Sequence, residues 1–205
     1  MVEEEVEEAP AIGRRERNKQ RVRERIYASA ISLFAEEGYD QATVDAIADR
    51  ADVARGTFFN YFQHKEDIIN AWEERRGAKL RTRLEESLSS KEMSAALLMR
   101  MCLSILAELN EEERDVAPAL VTAWVKTGKP ILAEPHIAAI FTELVERGQR
   151  RGEIRADVEA ERVGNLLRDA YLGILFRWSR VGPSGMDIDQ ELQYVLKICL
   201  RGILA

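Results

Sequence analysis

The stretch that most constrains the fold is residues 43–62, which has the pattern of two short helices joined by a tight turn. Its first half places apolar residues at Val44, Ile47, Ala48 and Ala51, which is helical spacing. Its second half, 54–61, carries polar residues beside phenylalanines. Because a helix this short is not stable alone, its aromatic residues must pack on the first helix while its polar residues face outward. This division of faces is typical of a DNA-recognition helix.

Charge is distributed unevenly along the chain, whose formal net charge is −6. Residues 1–12 contain five glutamates and no basic residue, whereas residues 14–25 contain seven Arg or Lys and two glutamates. The composition of residues 1–13 predicts an acidic disordered tail. The basic segment 14–25 directly precedes the helical pair, which favours a phosphate-seeking arm. A solvated helix face is the alternative for this segment.

The composition limits the kind of protein. The 205 residues are 46% hydrophobic, which is enough for a sizeable core and one or two domains. No apolar run is long enough to span a membrane, and the acidic N-terminus is unlike a secretory signal. Cys102 and Cys199 lie far apart in apolar helical patterns, which indicates buried thiols in a reducing compartment. We therefore expect a cytoplasmic protein with no membrane partner.

Helical periodicity extends over nearly the whole chain, and no stretch alternates as a strand does. Gly38 is a good residue for the end of the first helix, Thr43 is a natural cap for the second, and Gly128 with Pro130 marks a break. The expected helices cover about 18–37, 44–52, 54–61, 66–87, 91–109, 118–126, 131 or 135–150, 157–180 and 187–203. The sequence therefore predicts an all-α fold of about nine helices.

The last two expected helices carry more apolar surface than one core needs. The penultimate helix has a second face with small and apolar residues, and the last helix is also apolar. Such a hairpin is typical of a symmetric four-helix dimer interface, for which the candidates are Gly164, Leu172, Gly173, Phe176, Leu192, Val195 and Cys199. The alternative is that these residues complete the core of one chain.

The chain resembles the TetR family of bacterial one-component regulators over about 45 residues. The residues that carry the resemblance are Arg25-Ile26, Leu33-Phe34, Gly38-Tyr39, Ala42-Thr43-Val44, Ile47-Ala48, Ala51-Asp52-Val53-Ala54, Gly56-Thr57-Phe58, Tyr61-Phe62, Lys65 and Glu66. The resemblance implies a helix-turn-helix DNA-binding head over 14–66. It also implies a ligand-binding and dimerisation body over 67–205.

The resemblance also implies roles for individual residues. Arg55 would begin the recognition helix, and Thr43 and Lys65 match positions that commonly hold phosphates. Many family members have tyrosine at the position of Phe59, so the phosphate contact of that hydroxyl is absent here. The candidate DNA-contacting residues are Thr43, Val44, Arg55, Gly56, Thr57, Phe58, Asn60, Tyr61 and Lys65.

The residue chemistry agrees with these roles. Arg55 offers a bidentate fork for guanine, Asn60 can pair with adenine, and Gly56 lets the backbone approach DNA closely. Phe58 is four residues before Phe62, a spacing that favours packing on the first helix of the pair over contact with bases.

No catalytic constellation is visible in the sequence, so we do not expect an enzyme. His64 and His136 have no second ligand at metal-binding spacing, and no glycine-rich phosphate loop occurs, so neither a metal nor a cofactor is expected. The body is then expected to sense a small molecule. Candidate cavity residues, for which core packing is the alternative, are Trp72, Leu98, Met101, Cys102, Trp124, Phe141 and Tyr171.

These features together predict a ligand-responsive transcriptional regulator. We expect a homodimeric repressor that binds a palindromic double-stranded operator and is released by a small apolar effector. The alternative is a helical dimer that binds a ligand or a protein without binding an operator. Arg55 and Tyr61, together with the basic segment 14–25, favour the first reading.

Overall fold

The computed structural model describes residues 13–89, 92–128, 136–182 and 185–204, and helices make up most of them. The described helices are α1 (Arg14–Glu37), α2 (Val44–Arg50), α3 (Arg55–Phe59), α4 (Glu66–Ser89), α5 (Ala95–Glu112), α6 (Ala117–Lys126), α7 (His136–Arg150), α8 (Ala160–Val181) and α9 (Ile188–Ile203). In the described part, β pairing is limited to an isolated bridge between Ile154 and Leu204. The prediction of an all-α fold is confirmed.

The helix-turn-helix begins where the sequence indicates. The Thr43 hydroxyl accepts a hydrogen bond from the Ala46 N–H at 3.1 Å and so caps α2. At the following turn Asp52 adopts a positive φ of 51°, a conformation that aspartate tolerates better than most residues. The recognition helix α3 is shorter than predicted, because it ends at Phe59 and Asn60 is its C-cap.

The first helix is longer at its start than predicted, since α1 begins at Arg14 and therefore includes the basic segment 14–25. This segment lies before the buried stripe of α1, which begins at Ile26. The first turns of α1 thus project beyond the part that packs on the rest of the head. The acidic residues 1–12, which we predicted to be disordered, lie outside the described residues, as does Pro130.

The head and the body share a continuous hydrophobic core. In the head, Phe34 and Ile47 pack with Phe58 and Phe62. In the body, α5 is buried on most sides, as its nearly uniform apolar sequence predicts. Helices α7 and α8 pack closely because Gly164 has no side chain, and a Cβ there would lie 2.2 Å from the Thr142 hydroxyl oxygen. No helix among the described residues is long and apolar enough to span a membrane.

Candidate nucleic-acid interface and effector cavity

The recognition helix and the basic segment of α1 border the same open groove. The groove has a volume of about 380 Å³ and is lined by Arg15, Asn18, Lys19, Val22, Thr57, Asn60 and Tyr61. Three of these residues, Thr57, Asn60 and Tyr61, belong to the predicted DNA-contacting set. The fold therefore places phosphate-seeking charge next to side chains that can read bases.

Arg55 is exposed at the start of α3, and an ion pair with α2 holds its side chain. Its Nη1 lies 2.6 Å from Oδ1 and 2.5 Å from Oδ2 of Asp45, and the guanidinium sits 5.7 Å from the centroid of the Phe59 ring. Within the described part of the chain, the other guanidinium nitrogens have no hydrogen-bond partner. Asp45 thus fixes the arginine while leaving part of its fork available to a base.

Sequence reasoning did not identify Asp45 as part of the site. We interpreted it as a first-turn residue that stabilises α2 through the helix dipole, a role it can also have. The signal that could have found it is its opposite charge to Arg55 across a turn that brings α2 and α3 together. Such a pairing depends on tertiary geometry, so the ten-residue separation alone did not reveal it.

The structure adds a second role for Lys65 to the predicted phosphate contact. Its Nζ donates hydrogen bonds to the backbone oxygens of Tyr39 and Ala42, at 2.7 and 3.1 Å, and lies 4.4 Å from the centroid of the Tyr39 ring. The ammonium group is therefore occupied in holding the link between α1 and α2. Lys65 therefore supports the fold of the head in addition to any contact with phosphate.

Phe58 was predicted among the DNA contacts, but its side chain is fully buried and packs in the core of the head. The neighbouring Phe59 is 43% exposed and lies beneath Arg55. Val44 is half-buried against the core, so its side chain contributes packing at the start of α2. Thr43 and Gly56 remain on the exposed surface, and a Cβ at Gly56 would meet no atom within 4 Å.

Not all charges of the basic segment are free of contacts with the rest of the head. Arg25 donates from Nη2 to the backbone oxygen of Asp52 at 3.1 Å, which supports the turn between α2 and α3. The guanidinium of Arg23 lies 5.2 Å from the centroid of the Phe62 ring. By contrast, Arg15 and Lys19 are exposed along the groove. The segment is therefore partly structural, and its first turns carry the charge available to DNA.

The body contains a small apolar cavity where α4, α5, α6, α7 and α8 meet. Its volume is about 80 Å³, and its lining residues are Trp72, Glu73, Arg76, Gly77, Leu80, Leu106, Trp124, Ile137, Tyr171 and Leu175. Three of the seven predicted cavity residues, Trp72, Trp124 and Tyr171, are thus brought together.

The other four predicted cavity residues do not line this space. Leu98, Cys102 and Phe141 are fully buried in the core, and Met101 is half-buried beside it. Burial raises the pKa of the Cys102 thiol to about 12, so this side chain stays neutral. Their apolar periodicity reflected core packing, which was the alternative for each of them.

A polar cluster at one wall of the cavity was missed from the sequence. Arg76 donates to the Glu113 carboxylate at 2.9 Å, to the Leu109 carbonyl at 3.1 Å and to Asn110 Oδ1 at 3.0 Å. The Trp72 indole N–H donates to the same Glu113 oxygen at 2.9 Å. The Arg76 side chain is only 11% exposed, so the pair requires these additional hydrogen bonds to offset its desolvation.

Two helices of the cavity wall also contact the head. On α4, the Arg75 guanidinium pairs with Glu24 of α1 at 2.6 Å and lies 3.7 Å from the centroid of the Tyr27 ring. On α6, Lys126 forms an ion pair with Asp40 in the link between α1 and α2. Displacement of the cavity wall would therefore disturb two contacts with the head.

The expected dimer surface needs two corrections. Gly164 is buried against α7, and Leu192 is buried in the core of the same chain. Gly173 and Phe176 are exposed, while Leu172, Val195 and Cys199 are half-buried. Sequence reasoning missed the most exposed apolar side chains of this hairpin, which are Leu166, Tyr194 and Ile198. Each of the three is more than half exposed and lies on α8 or α9.

Within the described ranges, no three His, Cys, Asp or Glu side chains are grouped so that they could hold a metal ion.

Two family models match separate parts of the chain. Residues 26–72 match the model of bacterial regulatory proteins of the tetR family. Residues 77–202 match the C-terminal domain of TetR/AcrR family transcriptional repressors. The second match alone covers more than half of the chain, and together they include both the head and the body.

Similar proteins agree with these matches. The HTH-type transcriptional repressor KstR2 of Rhodococcus jostii is 27% identical over 187 residues, which cover 85% of this chain and 87% of the relative. The crystal structure of Thermus thermophilus FadR, a TetR family transcriptional repressor in complex with lauroyl-CoA, has a TM-score of 0.70 and 28% identity, covering 89% of this chain and 95% of that one.

A third similarity concerns the fold alone. SmeT, the repressor of the Stenotrophomonas maltophilia multidrug efflux pump SmeDEF, has a TM-score of 0.71 at 22% identity, with 89% of this chain and 90% of that chain covered. The chain therefore belongs to the TetR family of bacterial transcriptional repressors, which bind operator DNA as dimers and respond to small-molecule effectors.

Proposed function

We propose that a small apolar effector enters the cavity between α4 and α8 and lowers the affinity of the head for its operator. The observation that carries this proposal is that α4 and α6 each contact both regions. Helix α4 presents Trp72 to the cavity and Arg75 to α1, and α6 presents Trp124 to the cavity and Lys126 to Asp40. An effector that moves these helices must therefore change the position of the head.

The small volume of the cavity supports a two-state mechanism. Ligand sites usually have volumes of about 300–1,000 Å³, whereas this cavity has about 80 Å³. An effector of ordinary size requires the walls to separate, so it would bind preferentially to a second, more open state. That preference is the condition for a ligand to shift a conformational equilibrium.

We assign DNA recognition to the head over residues 14–66 and effector binding with dimerisation to residues 67–205. The side chains proposed to meet the operator are those that remain accessible, namely Thr43, Arg55, Thr57, Asn60 and Tyr61, with the backbone at Gly56. In a dimer competent for a palindromic site, the two recognition helices would lie about 34–36 Å apart. The open state would have a different spacing.

The dimer surface we propose is the apolar face of α8 and α9. It carries Leu166, Gly173 and Phe176 on one helix and Tyr194 and Ile198 on the other. The ion pair between Arg177 and Glu191, at 2.6 Å, holds the two helices together beside this face. A second copy with the same face would complete a four-helix interface.

The similarity to FadR from Thermus thermophilus, whose structure contains lauroyl-CoA, supports an apolar chain as the effector. We infer that the chain regulates transcription without catalysing a reaction, in the cytoplasm and on the nucleoid when bound to DNA. This placement follows from the proposed operator binding.

The experiment that tests the proposal measures binding of the purified chain to the DNA upstream of its own gene by fluorescence anisotropy, with and without lauroyl-CoA. We expect lauroyl-CoA to weaken specific binding by about 5- to 150-fold, the usual range of allosteric coupling. A salt titration on this DNA and on a scrambled sequence separates specific from general phosphate binding. Equal affinity for both DNA sequences at all salt concentrations would contradict operator recognition.

A further inference from the structure

Two residues that line the cavity carry hydrogen-bond donors that the described residues leave without acceptors. The indole N–H of Trp124 is buried and has no hydrogen-bond partner within residues 13–89, 92–128, 136–182 and 185–204. The hydroxyl oxygen of Tyr171 accepts a hydrogen bond from Asn110 Nδ2 at 3.3 Å, and among the described residues its proton has no acceptor. Tyr171 is 3% exposed, so its hydroxyl does not reach bulk water and an acceptor for its proton would have to lie inside the cavity. Buried polar groups are almost always paired, and these two require an explanation.

A chain of hydrogen bonds fixes the direction of the Tyr171 hydroxyl. Arg76 Nη2 donates to Asn110 Oδ1 at 3.0 Å, which identifies the amide nitrogen of Asn110 as the donor to Tyr171. Because the phenol oxygen accepts from Asn110, its own proton must lie on another side. Successive hydrogen bonds polarise one another in a low dielectric, so the guanidinium charge makes this hydroxyl a stronger donor.

The remaining polar groups of the wall offer no buried acceptor. The Trp72 N–H and the Arg76 guanidinium are already paired with Glu113. Glu73 also lines the cavity, but its side chain is partly exposed and can be hydrated. The rest of the described lining is apolar and includes Leu80, Leu106, Ile137 and Leu175.

We propose that the effector is an apolar molecule bearing a carbonyl or carboxylate group, whose oxygen accepts hydrogen bonds from Tyr171 and Trp124. The apolar body would lie along the leucine and isoleucine side chains. A free carboxylate and an acyl ester or thioester share this chemistry. The inference rests on the proposed function, since it assigns a ligand class to the same cavity.

The test uses three probes with a twelve-carbon chain, namely laurate, lauroyl-CoA and dodecyltrimethylammonium, with Kd measured by isothermal titration calorimetry on the full chain. Laurate supplies a free carboxylate, lauroyl-CoA supplies a thioester carbonyl, and the ammonium compound supplies no acceptor. We expect at least one of the first two to bind at least tenfold more tightly than the ammonium probe. Which of the two binds decides between the sources of the carbonyl group.

The substitutions Tyr171→Phe and Trp124→Phe each remove one donor and retain an aromatic ring. Each is expected to lower the affinity for the acceptor-bearing probe about three- to tenfold, the effect of one lost hydrogen bond. In Tyr171→Phe the Asn110 amide keeps its bond to the Leu106 carbonyl, at 2.6 Å. Trp178→Phe is the matched control, because its buried indole N–H is also unpaired but it does not line the cavity.

Wild-type affinity for the acceptor-bearing probe in both donor variants would overturn the inference, as would equal or tighter binding of dodecyltrimethylammonium. Failure of all three probes to bind would also overturn it. Release of upstream DNA by the ammonium probe alone would leave the proposed function standing and reject this ligand class. If laurate or lauroyl-CoA binds through Tyr171 and Trp124 but leaves DNA affinity unchanged, the ligand class stands and the proposed function fails.

Discussion

The basic side chains of the head and the aromatic donors beside the cavity of the body are paired differently. In the head, Lys65 and Arg25 donate to backbone carbonyls of the links between helices, and Arg55 is held by Asp45. In the cavity of the body, the donors of Tyr171 and Trp124 remain unmatched although they are buried. A basic residue in the head is therefore not always available to DNA. The unpaired donors beside the cavity, by contrast, favour a ligand that carries a hydrogen-bond acceptor.

The largest loss of operator affinity should follow removal of the Arg55 side chain, which Asp45 holds in place by one nitrogen. Arg55→Ala is expected to cost about 1–3 kcal/mol of operator affinity at each half-site, hence about 2–6 kcal/mol for a symmetric dimer. The measurement is anisotropy on upstream DNA. Sedimentation and the thermal midpoint should not change, because Arg55 and Asp45 are both exposed. Wild-type affinity for the upstream DNA would remove Arg55 from the site.

Tyr61→Ala provides the companion test of the groove that α1 and α3 share. Tyr61 borders the groove but is only partly exposed and packs against the core, so a stability measurement must accompany the binding measurement. We expect operator binding to be lost while dimerisation is retained. Retained operator affinity would show that the DNA-contacting residues of the head do not extend past Asn60.

The next largest effect is expected on dimerisation, through the exposed apolar face of α8 and α9. Ile198→Glu should weaken dimerisation about a hundredfold, because Ile198 is 54% exposed and a symmetric interface would bury the charge in both copies. Sedimentation equilibrium measures this change, and operator affinity should fall with it. Lys197→Gln, at the neighbouring exposed position, changes the charge by the same amount, −1 per copy, and is the matched control. An unaltered dimer in Ile198→Glu would place the interface elsewhere.

Two lysines of the head allow a comparison between a charge that bonds to the protein and a charge that is exposed to DNA. Lys65→Ala should destabilise the chain by about 1–3 kcal/mol, because the carbonyls of the link between α1 and α2 lose their donor. Lys19→Ala should leave the thermal midpoint unchanged and lower the salt dependence of DNA binding by about one phosphate contact per subunit. Lys19 is exposed on the groove. The opposite pattern would contradict these roles.

The smallest effect is expected at the contact of α6 with the head. Lys126→Ala removes the ion pair with Asp40, whose two side chains are substantially exposed, so its loss should cost at most about 1 kcal/mol. We expect ligand affinity to be unchanged and the ligand-induced loss of DNA affinity to shrink by a few-fold. Unchanged coupling in this variant would indicate that α4 alone connects the cavity with the head.

Local signals predicted much of the fold. Thr43 caps α2, and the helical periodicity placed most helix boundaries within a few residues. α3 was predicted too long, because Tyr61 continues the aromatic pattern of the segment although the helix ends at Phe59.

The contacts at the sites that the sequence did not reveal share a physical cause. Lys65 meets carbonyls of the 39–42 link that only the tertiary fold brings close, and Gly164 fits α7 of its own chain where sequence suggested an external partner. Arg76 was missed because an arginine in an amphipathic helix usually faces water, whereas this one pairs with Glu113 at the end of α5. Residue type and spacing indicated the class of protein. The hydrogen-bond partner of each polar side chain could be assigned only once the tertiary structure showed its neighbours.

The central claim is that occupation of the Tyr171–Trp124 cavity is communicated to the operator-binding head. The most direct measurement is the anisotropy titration of upstream DNA with wild type, Tyr171→Phe and Trp178→Phe, each at increasing concentrations of lauroyl-CoA. We expect the three proteins to have equal DNA affinity without ligand, and the ligand to release wild type and Trp178→Phe from the DNA. Release of Tyr171→Phe should require about three- to tenfold more ligand. Unchanged DNA affinity of the wild type at saturating lauroyl-CoA, with binding established by calorimetry, would contradict the account.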